Sequence, residues 1–281
     1  MIEFLINVKG NCLRGVALLR LDFNTEDEWR MEAAIPTVKL LLRRADKIVI
    51  MSHRGRPIKF DKRFSLKRDA GNLAKLLRRK VIFLSPFSFP RARKEIARAP
   101  RGSVLLFENL RFLRGEEKND PRLARALASL GDFYLNDAFA VCHRADASID
   151  AITRFLPPFA GLELEKEIKF LSKILTKPRK PLIIILGGSK AHDKLGVLRY
   201  FRNIAGKFLM GGAAANTLLA LRGVDVGKSP VDRDPTDLKR LKSIVRLPNI
   251  IFPLDWRGNH GRILDIGPKT ARHFAEEIKR A

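Results

Sequence analysis

Four short segments of this chain place arginine or histidine beside small hydrogen-bonding side chains, each directly after an apolar run. They are Asp22, Phe23 and Asn24 with Arg30 close behind; Ser52, His53, Arg54, Gly55 and Arg56; Glu108, Asn109 and Arg111; and Asn136 and Asp137 with His143 and Arg144. A guanidinium is a planar fork that binds phosphate or carboxylate oxygens two at a time and keeps its charge at any physiological pH. Taken singly, each residue has a plainer role: a solvated cation for an arginine, a packing or capping residue for His53, turn formers for Asp22 and Asn24. Taken together, at equivalent places in the chain, they read as one pocket for a small, multiply charged anion.

A second chemistry is written further on. The apolar run 182–186 leads into Gly187, Gly188, Ser189 and Lys190, with Lys194 one helical turn later. The run 207–210 leads likewise into Gly211, Gly212 and Ala213, followed by Asn216 and Thr217. Where a strand turns through glycines into a helix, backbone N–H groups and the helix dipole face an anion. The spacing is not that of a Walker A loop. One such turn is more commonly explained by close packing of helix on strand, and Lys190 and Lys194 could equally be exposed helix charges; two turns in succession favour a nucleotide site.

Something must hold these loops on one edge. Runs at 16–21, 47–51, 104–107, 133–135, 182–186 and 207–210 are rich in Val, Ile and Leu, and several are continuously apolar, as strands buried on both faces of a parallel sheet are. Helix-period segments lie between them. One stripe runs through Met31, Ala34, Ile35, Val38, Leu41 and Leu42, compatible with Pro36 only if that proline sits in the first turn. The alternation predicts an α/β fold of two Rossmann-like parallel-sheet domains. A helix over 162–177, with Leu164, Ile168, Leu171 and Leu175 as its stripe, is expected to join them. The expected domains are therefore 1–161 and 178–281. A last helix from Pro268, striped by Ala271, Phe274, Ala275 and Ile278, has no strand after it, so the second domain reads as incomplete.

Composition narrows the class. The 281 residues are 46% apolar, enough for real cores, and carry a net charge of +25 that draws anions. Two cysteines, Cys12 and Cys142, are too few for a disulfide framework. No apolar run nears the roughly 18 residues of a membrane span, and residues 1–10 lack a basic leader, so a cytoplasmic protein is expected. Basic stretches such as 91–101 raise nucleic-acid binding, but no such motif is present and aromatic residues are not interleaved as stacking platforms. Nucleic acid is not an expected partner.

LRLDFN (19–24), SHRGRP (52–57), FENLRF (107–112), NDAFAVCHRADAS (136–148), ILGGSKAHDK (185–194), MGGAAANT (210–217) and LDIGPKT (264–270) resemble the motifs of phosphoglycerate kinases, in that family's order and over essentially the whole chain. The resemblance implies a glycolytic and gluconeogenic enzyme. It would move a phosphoryl group reversibly between 1,3-bisphosphoglycerate and ADP, in two lobes that close about a hinge. It implies that Asp22, Asn24, Arg30, His53, Arg56, Arg111 and Arg144 hold 3-phosphoglycerate, with Phe23, Arg54 and Gly55 in the same loops. Arg30 would also steady the group in flight, Lys190 would follow it, and Lys194 would meet the nucleotide phosphates near Gly187, Gly188, Gly211 and Gly212.

The chain departs from the family at several points. Arg54 stands at a usually apolar place, Ala140, Val141 and Cys142 replace a Gly-Thr-Ala turn, and Asp146 replaces a polar or basic residue. The stretch 248–262 is short, and nothing matches the Trp-Asn-Gly-Pro segment or the Gly-Gly-Gly-Asp loop. ATP or ADP with Mg2+ is thus the implied cofactor set, while no metal-binding residues are predicted because the family's metal-holding loop has no counterpart. A monomer is expected, or else a partner chain completing the second domain. The alternative function is a catalytically impaired relative that binds 3-phosphoglycerate or a partner through its first domain.

Overall fold

A computed structural model describes residues 3–8, 13–26, 29–84, 88–188 and 192–281. The chain forms two compact units, Met1–Ser172 and Lys173–Ala281. In the first, the strands and helices follow as β1 (Val16–Arg20), α1 (Trp29–Arg44), β2 (Lys47–Met51), α2 (Lys67–Leu77), β3 (Val81–Leu84), α3 (Phe89–Arg98), β4 (Val104–Phe107), α4 (Pro121–Ala128), β5 (Phe133–Asn136) and β6 (Pro158–Ala160), and then α5 (Leu162–Thr176), whose last residues belong to the second unit. All six strands are parallel, in the order β3-β4-β2-β1-β5-β6.

Burial explains the uninterrupted apolar runs. Successive strand residues point to opposite faces. Leu19, Ile48, Ile50 and Leu106 pack under Val38 and Leu41 of α1 and Leu73 of α2. Leu18, Val49, Leu105 and Tyr134 pack under Ile96 of α3 and Leu127 of α4. Both faces are dry, so no polar alternation survives in β1, β2 or β4. Arg20 ends the central strand, opposite Met51 on one side and Asn136 on the other, and is completely buried.

The second unit has β7 (Ile183–Leu186), α6 (His192–Phe201), β8 (Lys207–Met210), α7 (Gly212–Leu221), α8 (Pro235–Ile244), β9 (Ile250–Ile251), β10 (Trp256–Asn259), β11 (Arg262–Ile266) and α9 (Pro268–Lys279). A parallel sheet β7-β8-β9 is joined by an antiparallel pair, β10-β11. Leu186, Phe208 and Met210 meet Leu198, Leu218 and Leu241 in its core.

Four expectations need correction. Pro36 lies well inside α1, not in its first turn. It deprives the Glu32 carbonyl of a donor, and both residues are on the exposed face, where water can replace it. In α5 only the start of the stripe is covered: Leu164 is buried, whereas Leu171 and Leu175 are 40% and 48% exposed. In α9 the buried face is Thr270, Phe274 and Glu277, because Asp255 and Lys207 give the two polar members partners. Strands β3, β6, β9, β10 and β11 lie outside the apolar runs expected to form the sheets.

Candidate functional site

The sheet order sets the carboxyl ends of β1, β2, β4 and β5 side by side, the edge where open α/β sheets take their ligands. His53, just past β2, is fully buried at the centre of that edge. Its Nδ1 lies 3.1 Å from Arg20 Nη2, and its Nε2 lies 3.3 Å from Arg144 Nη1. Asp22 Oδ1 stands 3.9 Å from Nδ1, while the other oxygen of Asp22 takes an ion pair from Arg30. Burial, then the charges of Arg20, Arg111, Arg144 and Arg30, drive the imidazole pKa down to about 2. His53 is an uncharged ring among four guanidinium groups.

Arg20 lies within the LRLDFN segment without being among the site residues expected from it, yet it anchors this cluster. Its Nε donates to Ser148 Oγ at 3.1 Å, and Nη1 donates to the Leu21 carbonyl. Ser148 in turn donates its hydroxyl to Glu116 Oε1 at 2.5 Å and its amide to Oε2 at 3.1 Å. Glu116 is buried, which raises its carboxyl pKa, and the charge of Arg20 pulls the other way. A buried cation thus has its counter-ion one hydroxyl away.

Arg111 is held by Asp146 at 3.0 Å and Glu117 at 2.5 Å. The acid at 146, unexpected in the motif, is the partner of this arginine. Arg54 turns toward α2: its Nη2 and Nε reach Asp69 at 2.6 and 3.3 Å, and Nη1 reaches the Thr25 carbonyl at 3.1 Å. Asn109 brackets the Arg54 backbone, accepting from its amide at 3.2 Å and donating to its carbonyl at 2.8 Å. Asn24 accepts from the Gly55 amide at 2.7 Å. Gly55 must be glycine, since φ is +62° and a Cβ would come within 2.4 Å of the Phe64 ring. Phe23 is a core residue whose amide donates to Ser52 Oγ at 2.9 Å. Arg56 does not join the cluster. It is exposed and has no polar partner among the described residues. A cleft of about 960 Å³ opens beside the cluster, walled by Phe23, Asn24, Arg54 and Gly55 and by Lys67 and Arg68 of α2.

In the second unit, Ser189 and Lys190 lie outside the described residues; Lys194 is half-buried in the first turn of α6. Gly187 and Gly188 are uncrowded, with nothing within 4 Å of an added Cβ, but Gly188 has φ +99°. Gly212 has φ +56°, and its Cβ would fall 2.6 Å from Gly188 N and 2.5 Å from Gly188 O. The Ala213 amide donates to that same carbonyl at 2.8 Å. The two glycine turns therefore touch, Gly211 accompanying them as the cap of α7. Beside them a shallow cleft is lined by Ala215, Asn216, Leu219, Pro253, Trp256 and Asp265.

The sequence pattern of phosphoglycerate kinases matches residues 14–281. The chain belongs to the phosphoglycerate kinase family. It is similar to the phosphoglycerate kinase of Pseudothermotoga lettingae, at 37% identity over 94% of this chain and 75% of the relative. It is similar to that of a Wolbachia from Drosophila simulans at 41% identity over 85% of this chain and 62% of the relative. Its fold matches the crystal structure of Pyrococcus horikoshii phosphoglycerate kinase with a TM-score of 0.84 and 27% identity, covering 100% of this chain and 79% of that one. The Coxiella burnetii enzyme matches at a TM-score of 0.76, with 27% identity and coverage of 100% and 78%.

Members of the phosphoglycerate kinase family use a magnesium nucleotide. Among the described residues no group of three or more His, Cys, Asp or Glu side chains is placed to hold a metal. They do not make a protein cage for magnesium, an ion that commonly keeps water and substrate phosphates as most of its ligands.

Proposed function

We propose that this chain transfers a phosphoryl group reversibly between 1,3-bisphosphoglycerate and ADP, giving 3-phosphoglycerate and ATP, as a cytoplasmic monomer of glycolysis and gluconeogenesis. Residues 1–161 carry the acid-binding half and 178–281 the nucleotide-binding half, with the helix over 162–177 connecting them in the chain. The observation that carries the reading is the gathering of Arg20, Arg30, Arg111 and Arg144 about an uncharged His53 at one sheet edge. The family match supports it.

In this reading Asp22, Asn24, Arg30, His53, Arg111 and Arg144 hold the phosphorylated three-carbon acid, and exposed Arg56 reaches it as the ligand arrives. Phosphoryl transfer asks a protein mainly for alignment and for positive charge around three equatorial oxygens. Arg30, paired with Asp22 and partly exposed, supplies that charge from the first unit. Lys190 follows the group, and Lys194 with the turns at Gly187–Gly188 and Gly211–Gly212 receives the nucleotide phosphates. The nucleotide, when bound with Mg2+, supplies the phosphate that is donated or accepted.

The test is a coupled assay of ATP-dependent turnover of 3-phosphoglycerate by the purified full chain, with calorimetric binding of 3-phosphoglycerate alongside. Arg30→Ala should lower kcat by about 100-fold or more in a folded protein, the usual scale for losing one transition-state donor. Binding without turnover marks the impaired relative instead, and absence of both overturns the reading.

A further inference from the structure

We infer that the buried guanidinium of Arg20 fixes His53 as the uncharged Nε2–H tautomer, so that Nε2–H and Arg144 form a two-donor clamp for one anionic ligand oxygen. The ligand named here rests on the function proposed above; the tautomer does not.

A guanidinium only donates hydrogen bonds. Arg20 Nη2 at 3.1 Å from Nδ1 therefore needs a lone pair there. A neutral imidazole has one nitrogen with a lone pair and one with a proton, so Nε2 carries the proton. The opposite assignment sets two N–H groups against each other at Arg20, a group completely buried and unable to turn away. Its Nε is committed to Ser148 and its Nη1 to the Leu21 carbonyl, and Ser148 is itself clamped by both oxygens of Glu116. A proton on Nδ1 would gain nothing from Asp22, whose Oδ1 at 3.9 Å is beyond hydrogen-bond range.

The consequence falls on the other nitrogen. Arg144 Nη1 stands 3.3 Å from Nε2, and with the proton on Nε2 that contact is donor against donor. Such a contact is not a hydrogen bond. It is two converging N–H groups that lack an acceptor, and one of them belongs to a partly exposed side chain able to shift. An oxygen of a phosphate or carboxylate entering beside them accepts from both. Arg20, which touches no ligand in this arrangement, is a positioning residue acting through His53. The charged groups around the ring are Arg20 from β1, Asp22 and Arg30 beyond it, Arg111 beyond β4 and Arg144 beyond β5. All but Asp22 oppose a proton on the ring.

The experiment is 15N NMR of histidine-labelled full chain, with His53 assigned by the loss of its signals in His53→Asn. The expected result is the Nε2–H pattern, unchanged from pH 8 to pH 5. An Nδ1–H pattern, or titration of His53 in that range, overturns the inference without touching the kinase reading. Adding 3-phosphoglycerate, with inorganic phosphate as the control probe, should move the Nε2–H proton downfield and leave the tautomer in place. If the tautomer is as stated and 3-phosphoglycerate leaves it unshifted, the clamp is refuted while the role of Arg20 stands. Arg20→Lys, which cannot hold Nδ1 and Ser148 together, should bring a mixture of tautomers and weaken 3-phosphoglycerate binding roughly 10- to 100-fold. Should that variant not fold, Ser148→Ala, which frees one arm of Arg20, should give the same mixture in smaller proportion. A single unchanged tautomer in a folded Arg20→Lys protein refutes the positioning role.

Discussion

Asp69→Ala would leave Arg54 with a guanidinium that is 20% exposed and has lost its carboxylate, while the 3.1 Å bond to the Thr25 carbonyl remains. Breaking a wholly buried pair from one side costs about 3–5 kcal/mol, because the orphaned charge stays behind. Water reaches one fifth of this arginine and Glu26 sits 3.6 Å away, so about 2–3 kcal/mol is the expected loss here. For a unit of this size that lowers Tm by roughly 5–10 °C. Arg54→Met should cost a similar amount by orphaning Asp69, whose carboxyl pKa burial already raises. The double variant Arg54→Met with Asp69→Leu replaces both charges by apolar groups of similar volume and should return to within about 1 kcal/mol of the parent. Urea unfolding followed by tryptophan fluorescence reads this cleanly in a Trp256→Phe background, where Trp29 of the first unit is the one remaining tryptophan. The KM for 3-phosphoglycerate should rise with the single variants, since Arg54 ties the loop after β1 to the loop that carries His53. Losses that simply add in the double variant would show that the two side chains are not coupled and would refute the argument.

Asp137 caps α5 by accepting from the amides of Glu163 and Leu164, and burial raises its pKa from 3.8 to about 6. The folded chain then holds that proton longer than the unfolded chain, so this group's contribution to stability falls as pH rises from about 4 to about 6, by roughly 3 kcal/mol in all. Asp137→Asn keeps an acceptor and should gain on the parent across that window, with little difference near pH 4; urea midpoints at pH 4 and pH 7.5 check it. Gly212→Ala should unfold much of the second unit, because its Cβ would strike Gly188 at 2.5 Å with φ at +56°, whereas Gly187→Ala meets nothing and should leave stability within about 0.5 kcal/mol. A Gly187→Ala protein that melts normally but binds ATP as tightly as the parent would remove that turn from the nucleotide site. Asp146→Asn withdraws a negative charge from Arg111 and should tighten 3-phosphoglycerate binding roughly 3- to 10-fold at low salt, by calorimetry.

The part of this fold that could be read from sequence is the part whose cause is local. Ala17, Leu18 and Leu19 or Ile48, Val49 and Ile50 must be apolar at every position because helices cover both faces, and that leaves an unmistakable run. Val81–Leu84 has the same composition at the sheet's edge and was legible in principle. Pro158–Ala160 was not: three residues beginning with proline make an edge strand only because Tyr134, Leu135 and Asn136 lie beside them. The arginines after each strand could be found because their neighbours repeat a pattern. Arg20 sits inside LRLDFN, but its role could not be read there, since an arginine closing a strand in a chain with 55 basic residues resembles any solvated cation until topology sets it between β2 and β5. Thr270 and Glu277 escaped for a related reason, as polar residues are buried by their partners and hydropathy does not see partners.

The strong positive charge of the chain is a separate matter from the charge of the site. Arg20 is answered by Glu116 through Ser148, Arg30 by Asp22, Arg54 by Asp69 and Arg111 by Asp146. Each of these four guanidinium groups has its own carboxylate nearby, as the buried Arg20 and Arg111 require. Arg144 has no carboxylate partner among the described residues, and exposed Arg56 has none either. The excess lies outside, on faces such as that of α3, where Arg91, Arg93, Lys94 and Arg98 are exposed. Those distant charges can draw an anion toward the protein, and salt weakens that pull. On the function proposed above, what selects the anion at the end is the set that remains uncompensated: Arg144, Arg56, and the proton that Arg20 obliges His53 to keep on Nε2.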